Sequence, residues 1–181
     1  MNTPVVPAAP GAGAPGEAVG NAVYRVGMGE YRVASAPHRL LAFGLGSCVG
    51  VFLYSREAAL GGLAHVMLPE GAHLRRGTSQ PTKFADLALE LMANEMTRRG
   101  APGGRLSAKI FGGANMFPMI DTAGRPPIGE RNVTAVREAL GRLGIPITGA
   151  EVGGEWGRTV EADCLTGVAV VKAWNRPPVK V

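Results

Sequence analysis

At 181 residues, 46% of them hydrophobic and 18% charged, the chain is long enough to bury its own core, and it carries no apolar run near the ~20 residues that cross a bilayer. The net charge of +5 directs attention to acidic partners, but the basic residues are scattered, with Arg75-Arg76 and Arg98-Arg99 the only adjacent pairs. Aromatic residues, at 6%, do not interleave with them as a nucleic-acid stacking platform requires, which leaves the charge to solubility and to steering toward an acidic protein surface.

Residues 1–20 are Ala, Gly and Pro with almost no apolar bulk, so a disordered tail is expected ahead of a single domain over 21–181. They also lack a basic region followed by an apolar core, so no secretory signal is expected. Two cysteines far apart make no disulfide framework and suit a reducing cytoplasm. Val23 to Val33 alternates weakly, as one or two short strands broken at Gly27 and Gly29 would. Leu40 to Phe43 leads into the stretch on which the chain centres, Phe43-Gly44-Leu45-Gly46-Ser47-Cys48-Val49-Gly50-Val51-Phe52-Leu53-Tyr54. It reads as a glycine-punctuated turn feeding a strand of β-branched and aromatic residues.

Ser55-Arg56-Glu57-Ala58 then suits a four-residue turn, and Ala59 to Leu68 a returning strand that contains His65. After a polar loop at 75–80, Pro81 or Thr82 opens a helix through Arg99, with Phe84, Leu87, Ala88, Leu91, Met92 and Met96 at helical spacing. Leu106 to Phe111 is a strand running into Gly112-Gly113-Ala114-Asn115-Met116. That glycine turn lacks the spacing and the lysine of a phosphate cradle, so Gly112, Gly113 and Asn115 read as a partner or substrate loop. Residues 117–128 are irregular; a second helix from Gly129 or Glu130 carries Val133, Val136, Leu140 and Leu143 and ends at Gly144. Ile145 to Val152 is a strand, Gly153-Gly154 a turn, and Arg158 to Asp163 with Gly167 to Ala173 a hairpin, with Cys164 at its turn as a structural cysteine. Two main helices among strands joined largely as hairpins define an α+β fold with layered antiparallel or mixed sheets.

Cys48 admits two readings, a buried structural thiol or a nucleophile at the mouth of a strand, where uncommitted backbone N–H groups offer an oxyanion site. Pairing Tyr54 with Ala59 would set Cys48 opposite His65, with Cβ atoms about 4.5–5.5 Å apart. A slip of one residue would send one of them to the other face, and Gly61-Gly62 could hold a bulge. The spacing permits a Cys–His pair without requiring it. His38, His65 and His73 lack the spacing of metal ligands, so neither metal nor cofactor is expected.

Several motifs in order resemble the CheD family, the chemoreceptor glutamine deamidases of bacterial chemotaxis. They are Gly44-Leu45-Gly46-Ser47-Cys48-Val49-Gly50-Val51, Gly61-Gly62-Leu63-Ala64-His65-Val66-Met67-Leu68-Pro69 and Lys83-Phe84-Ala85-Asp86. They continue with Lys109-Ile110-Phe111-Gly112-Gly113-Ala114-Asn115-Met116, Ile128-Gly129-Glu130-Arg131-Asn132-Val133 and Gly153-Gly154 followed by Gly157-Arg158. The resemblance implies a cysteine-hydrolase fold shared with the catalytic domain of cytotoxic necrotizing factor toxins, with Cys48 as nucleophile and His65 as general base. Gly46 and Ser47 would support the oxyanion, and His65 would raise the thiolate fraction of Cys48. The implied substrates are glutamines in the cytoplasmic coiled coil of methyl-accepting chemotaxis receptors, with a CheC-type phosphatase as a candidate partner. One position departs: the family commonly has a threonine six residues before the cysteine, orienting the histidine, and here it is Ala42. A receptor- or CheC-binding adaptor with weak catalysis is the alternative; a nucleic-acid binder rests on net charge alone.

Overall fold

The computed structural model describes residues 5–6, 20–70, 80–102, 104–116 and 124–181. Most of the expected tail, the loop at 75–80 up to Gln80, and residues 117–123 of the irregular stretch lie outside the described residues. The strands are β1 (Val5–Val6), β2 (Val23–Val26), β3 (Tyr31–Ser35), β4 (Arg39–Leu45), β5 (Val49–Ser55), β6 (Leu60–Val66), β7 (Ser107–Gly112), β8 (Ile147–Val152), β9 (Arg158–Asp163), β10 (Ala169–Ala173) and β11 (Val179–Lys180). The helices are α1 (Ala85–Arg98) and α2 (Ile128–Arg142).

They build two mixed sheets. One has the order β1-β2-β4-β9-β10-β11, the other β3-β6-β5-β7-β8. In the first, β1, β2 and β4 run parallel and the remaining pairs antiparallel; in the second only β7 and β8 are parallel. Both helices pack on the five-stranded sheet, where Leu89, Met92, Val136 and Leu140 meet Val49, Val51, Leu53 and Ile110. The opposite face of that sheet, with Phe52, Leu63 and Phe111, packs on Tyr24, Leu40, Leu45 and Val160 of the six-stranded sheet. The layers are therefore helices, central sheet, outer sheet, an α+β arrangement with two α-helices among the described residues, as expected.

Burial on both faces explains why β5 is apolar from Val49 to Leu53 rather than alternating. At the helices, Pro81–Lys83 forms a separate short 3-10 turn, so α1 starts at Ala85. Leu91 and Leu143, expected on the apolar faces, are exposed: Leu91 falls one residue off the stripe made by Ala88, Leu89, Met92 and Met96. Short β1 and β11 extend the ends of the outer sheet where no strand is expected from sequence. Cys164 is fully buried between the sheets. The facing sheet supplies Gly61 of β6 there, a residue whose Cβ would meet the Cys164 sulfur at 2.7 Å.

Candidate active site

Cys48 sits in the three-residue loop between β4 and β5. The end of β4 is bulged: Ala42 pairs with Val160 and Leu45 with Arg158, so β4 spends one more residue than β9 over this step. The bulge leaves Phe43 and Gly44 exposed, with Gly44 at φ +67°, and turns the chain toward β5.

Three successive carbonyls of the loop are held by partners remote in sequence. Gly46 O accepts from Ala114 N–H at 2.8 Å, Ser47 O from Asn132 Nδ2 at 2.9 Å, and Cys48 O from Gly113 N–H at 2.8 Å. Peptide planarity sets each following N–H opposite its carbonyl, so the amides of Ser47 and Cys48 are directed away from these partners. The sequence-predicted Gly112-Gly113-Asn115 segment is thus brought directly beneath the cysteine. Gly112 has φ +98°, and a Cβ there would collide with the Cys48 carbonyl oxygen. Asn115 N–H donates to Gly154 O and Gly153 N–H to Gly112 O, each at 2.8 Å, which fastens the segment to the turn after β8. Met116 lies over Gly46, where a Cβ would stand 3.0 Å from its Cγ.

His65 lies near the end of β6 and its backbone is fixed from the β3 side, with its N–H donating to Glu30 O and its carbonyl accepting from Gly29 N–H, both at 2.9 Å. The hairpin register differs from the sequence expectation. Ser55 pairs with Leu60 and Gly50 with His65, so Cys48 is diagonal to His65 rather than opposite it. The shift is two residues, which preserves the face. Along β6 the neighbours Leu60, Ala64 and Val66 point to the helix layer and Leu63 to the layer between the sheets, so His65 points between the sheets, where Cys48 also packs.

The imidazole is buried, and neither of its nitrogens has a hydrogen-bond partner among the described residues. Burial without a compensating charge pushes its pKa down to about 4. The half-buried Cys48 thiol is pushed up by burial, with its own backbone N–H pulling the other way. At neutral pH the pair is therefore thiol and neutral imidazole. The expected activation of the thiol by His65 has no ground-state hydrogen bond beside it, since neither imidazole nitrogen has a partner among the described residues. Ala42, where the family threonine would stand, is fully buried in the same layer between the sheets.

Asn132 is the residue the sequence reading passed over as a site residue. It is fully buried in α2, and Nδ2 donates to Ser47 O at 2.9 Å and Met67 O at 3.0 Å. A signal existed: Gly129, Asn132, Ala135, Val136, Ala139 and Leu140 form one buried stripe, and Asn132 is its polar member.

Residues 67–173 match a family model described as CheD chemotactic sensory transduction. The chain is 43% identical over 155 residues to "Probable chemoreceptor glutamine deamidase CheD 2" of Geobacter metallireducens, covering 86% of this chain and 96% of that protein. It is 44% identical over 160 residues to "Probable chemoreceptor glutamine deamidase CheD" of Desulforamulus reducens, covering 88% and 96%. The protein of that name from Clostridium tetani is 44% identical over 149 residues, covering 82% and 90%. A solved structure, Bacillus licheniformis hypothetical protein YfiH, aligns with a TM-score of 0.41 at 16% identity over 67% of this chain and 49% of that one. The chain belongs to the CheD family.

Proposed function

We propose that this protein hydrolyses the side-chain amide of specific glutamines in the cytoplasmic coiled coil of methyl-accepting chemotaxis receptors, leaving glutamate and ammonia. The observation that carries the reading is a half-buried thiol at the mouth of β5 with, on the same face, an imidazole that has no hydrogen-bond partner among the described residues, in a chain whose relatives are named probable chemoreceptor glutamine deamidases. In this proposal the fold is the cysteine-hydrolase type of the cytotoxic necrotizing factor catalytic domain, acting in the cytoplasm.

Cys48 Sγ attacks the carboxamide carbon as His65 takes the thiol proton, and the carbonyl electron pair moves onto oxygen. That oxyanion rests against the N–H groups of Ser47 and Cys48, directed outward by the pinned carbonyls. Collapse of the tetrahedral intermediate breaks the C–N bond, and ammonia leaves with the proton from His65. Water, deprotonated by His65, then hydrolyses the thioester and returns the thiol. A base that is neutral at rest can accept the proton in the first step, and burial holds the imidazole neutral. The protein's positive charge favours approach to an acidic helical surface.

The test is mass mapping of a receptor cytoplasmic fragment after incubation with the protein. Gain of hydroxyl for amide at discrete glutamines, absent with Cys48→Ala, is the expected result; unchanged glutamines with folded wild-type protein would overturn it. A second reading, an adaptor that binds receptors or a CheC-type phosphatase with weak catalysis, is favoured by one observation. Ala42 supplies no hydroxyl in the layer where the His65 nitrogens lack partners among the described residues. Receptor binding without deamidation would select it.

A further inference from the structure

We propose that Asn132 is a positioning residue, its amide tying the loop that presents Cys48 to the end of the strand that carries His65. The inference rests on the deamidase reading above. Asn132 Nδ2 reaches two carbonyls at once, Ser47 O at 2.9 Å and Met67 O at 3.0 Å. Ser47 immediately precedes Cys48, and Met67 lies two residues beyond His65. One side chain therefore spans the two segments whose separation the chemistry depends on.

The fit to asparagine is specific. Two neutral donors diverging from one nitrogen satisfy two carbonyls; serine or threonine has one donor, and lysine or arginine would bury a charge. Asn132 Oδ1 has no hydrogen-bond partner among the described residues, so the side chain is kept buried for its donors and not for its acceptor. The helix that carries it packs tightly against the same loop. Gly129, one turn earlier, lies so close to the next loop that a Cβ there would meet Ala114 O at 2.5 Å and Gly113 O at 2.6 Å. Gly113 and Ala114 are the same residues that hold Cys48 O and Gly46 O. Asn132 thus acts from a closely packed support, and by fixing the Ser47 carbonyl it fixes the direction of the Cys48 N–H.

The test uses the full-length protein as Asn132→Ala and as Asn132→Asp, which keeps the shape and loses the paired donors. Val136→Ala, on the same buried stripe of α2 but outside the clamp, serves as the stability control. Deamidation of the receptor fragment is measured as kcat and KM separately, corrected for folded fraction. Iodoacetamide labelling of Cys48 is followed alongside, relative to Cys164. Expected is a fall in kcat on the order of 10- to 100-fold for both Asn132 variants with KM within about twofold, since a shift of about 1 Å at a reacting group costs that much. Cys48 labelling should change severalfold while Val136→Ala leaves kcat and labelling near wild type. Asn132→Asp with wild-type kcat and labelling would overturn the inference, as would an equal kcat loss in Val136→Ala at matched melting temperature. Should the wild type not deamidate, the proposed function fails, and labelling alone then decides the clamp: an unchanged Cys48 rate in a folded Asn132→Asp rejects it.

Discussion

Gly112→Ala probes the frame beneath Cys48 through a single methyl group. Gly112 has φ +98°, and an added Cβ would lie inside 3.0 Å of the Cys48 carbonyl oxygen, an approach that real Cβ atoms do not make. Positive φ costs a residue with a side chain about 1–2 kcal/mol. The carbonyl must also retreat from Gly113 N–H, now at 2.8 Å, and losing that bond costs about 0.5–1.5 kcal/mol. Together these give about 2–3 kcal/mol, and at ~2–4 °C per kcal/mol for a domain of this size the melting temperature should fall by about 5–10 °C. Activity should fall further than stability, because the retreating carbonyl rotates the peptide that carries Cys48, and ~1 Å there is worth about 10²-fold. Gly144→Ala separates the two effects. Gly144 also has positive φ, +67°, but a Cβ there meets nothing within 4 Å, so only the conformational cost applies. Calorimetric melting and steady-state deamidation on both variants make the check. A Gly112→Ala protein with the melting temperature and kcat of Gly144→Ala would refute the claim that this glycine shapes the site.

The other predictions concern the chemistry. Cys48→Ala should abolish deamidation and Cys164→Ala retain it, and Cys48 should alkylate far faster than the fully buried Cys164 in the folded protein; equal rates would contradict the burial difference. His65, held near pKa 4 against about 6.5 unfolded, binds its proton more readily in the unfolded chain, so its contribution to stability is full above pH 6.5 and is lost as pH falls toward 4. The difference in unfolding free energy between wild type and His65→Gln should shift across that window by up to about 3 kcal/mol; parallel pH curves would show that His65 is not desolvated. Ala42→Thr should raise kcat or leave it unchanged while lowering stability by about 1–3 kcal/mol, because the site is fully buried; a folded variant with lower kcat would mean that a different group orients His65.

The β5–β6 hairpin shows what local sequence can and cannot specify. Its β-branched and aromatic run and its glycine entry mark the first strand, and parity puts Cys48 and His65 on one face. The register is two residues off because Ser55-Arg56-Glu57-Ala58 contains no dipeptide that dictates a turn type, and Ala59 takes φ +46°, which nothing in its chemistry announces. Asn132 was readable in principle, as a polar residue on an apolar stripe, but its targets were not: Ser47 and Met67 meet it only through the tertiary fold. The same holds for Gly112 and Gly113. Their composition marks a special backbone, yet only the pairing of β5 with β7 sets them under Cys48. The placement of β4 between β2 and β9 is likewise a long-range choice that neither propensity nor periodicity encodes.

The three pinned carbonyls also bear on how the protein is made. Gly46, Ser47 and Cys48 take their carbonyl partners from Ala114, Asn132 and Gly113, so each of these three restraints closes a span of more than sixty residues. During synthesis Cys48 and His65 leave the ribosome early and can meet in a hairpin of local contacts, whereas the loop acquires its shape only when β7 and α2 have emerged and docked. Such distant closures are the slow part of folding. A nascent or truncated chain therefore holds both residues without a finished site, and reactivity is gained last, as a property of the completed domain.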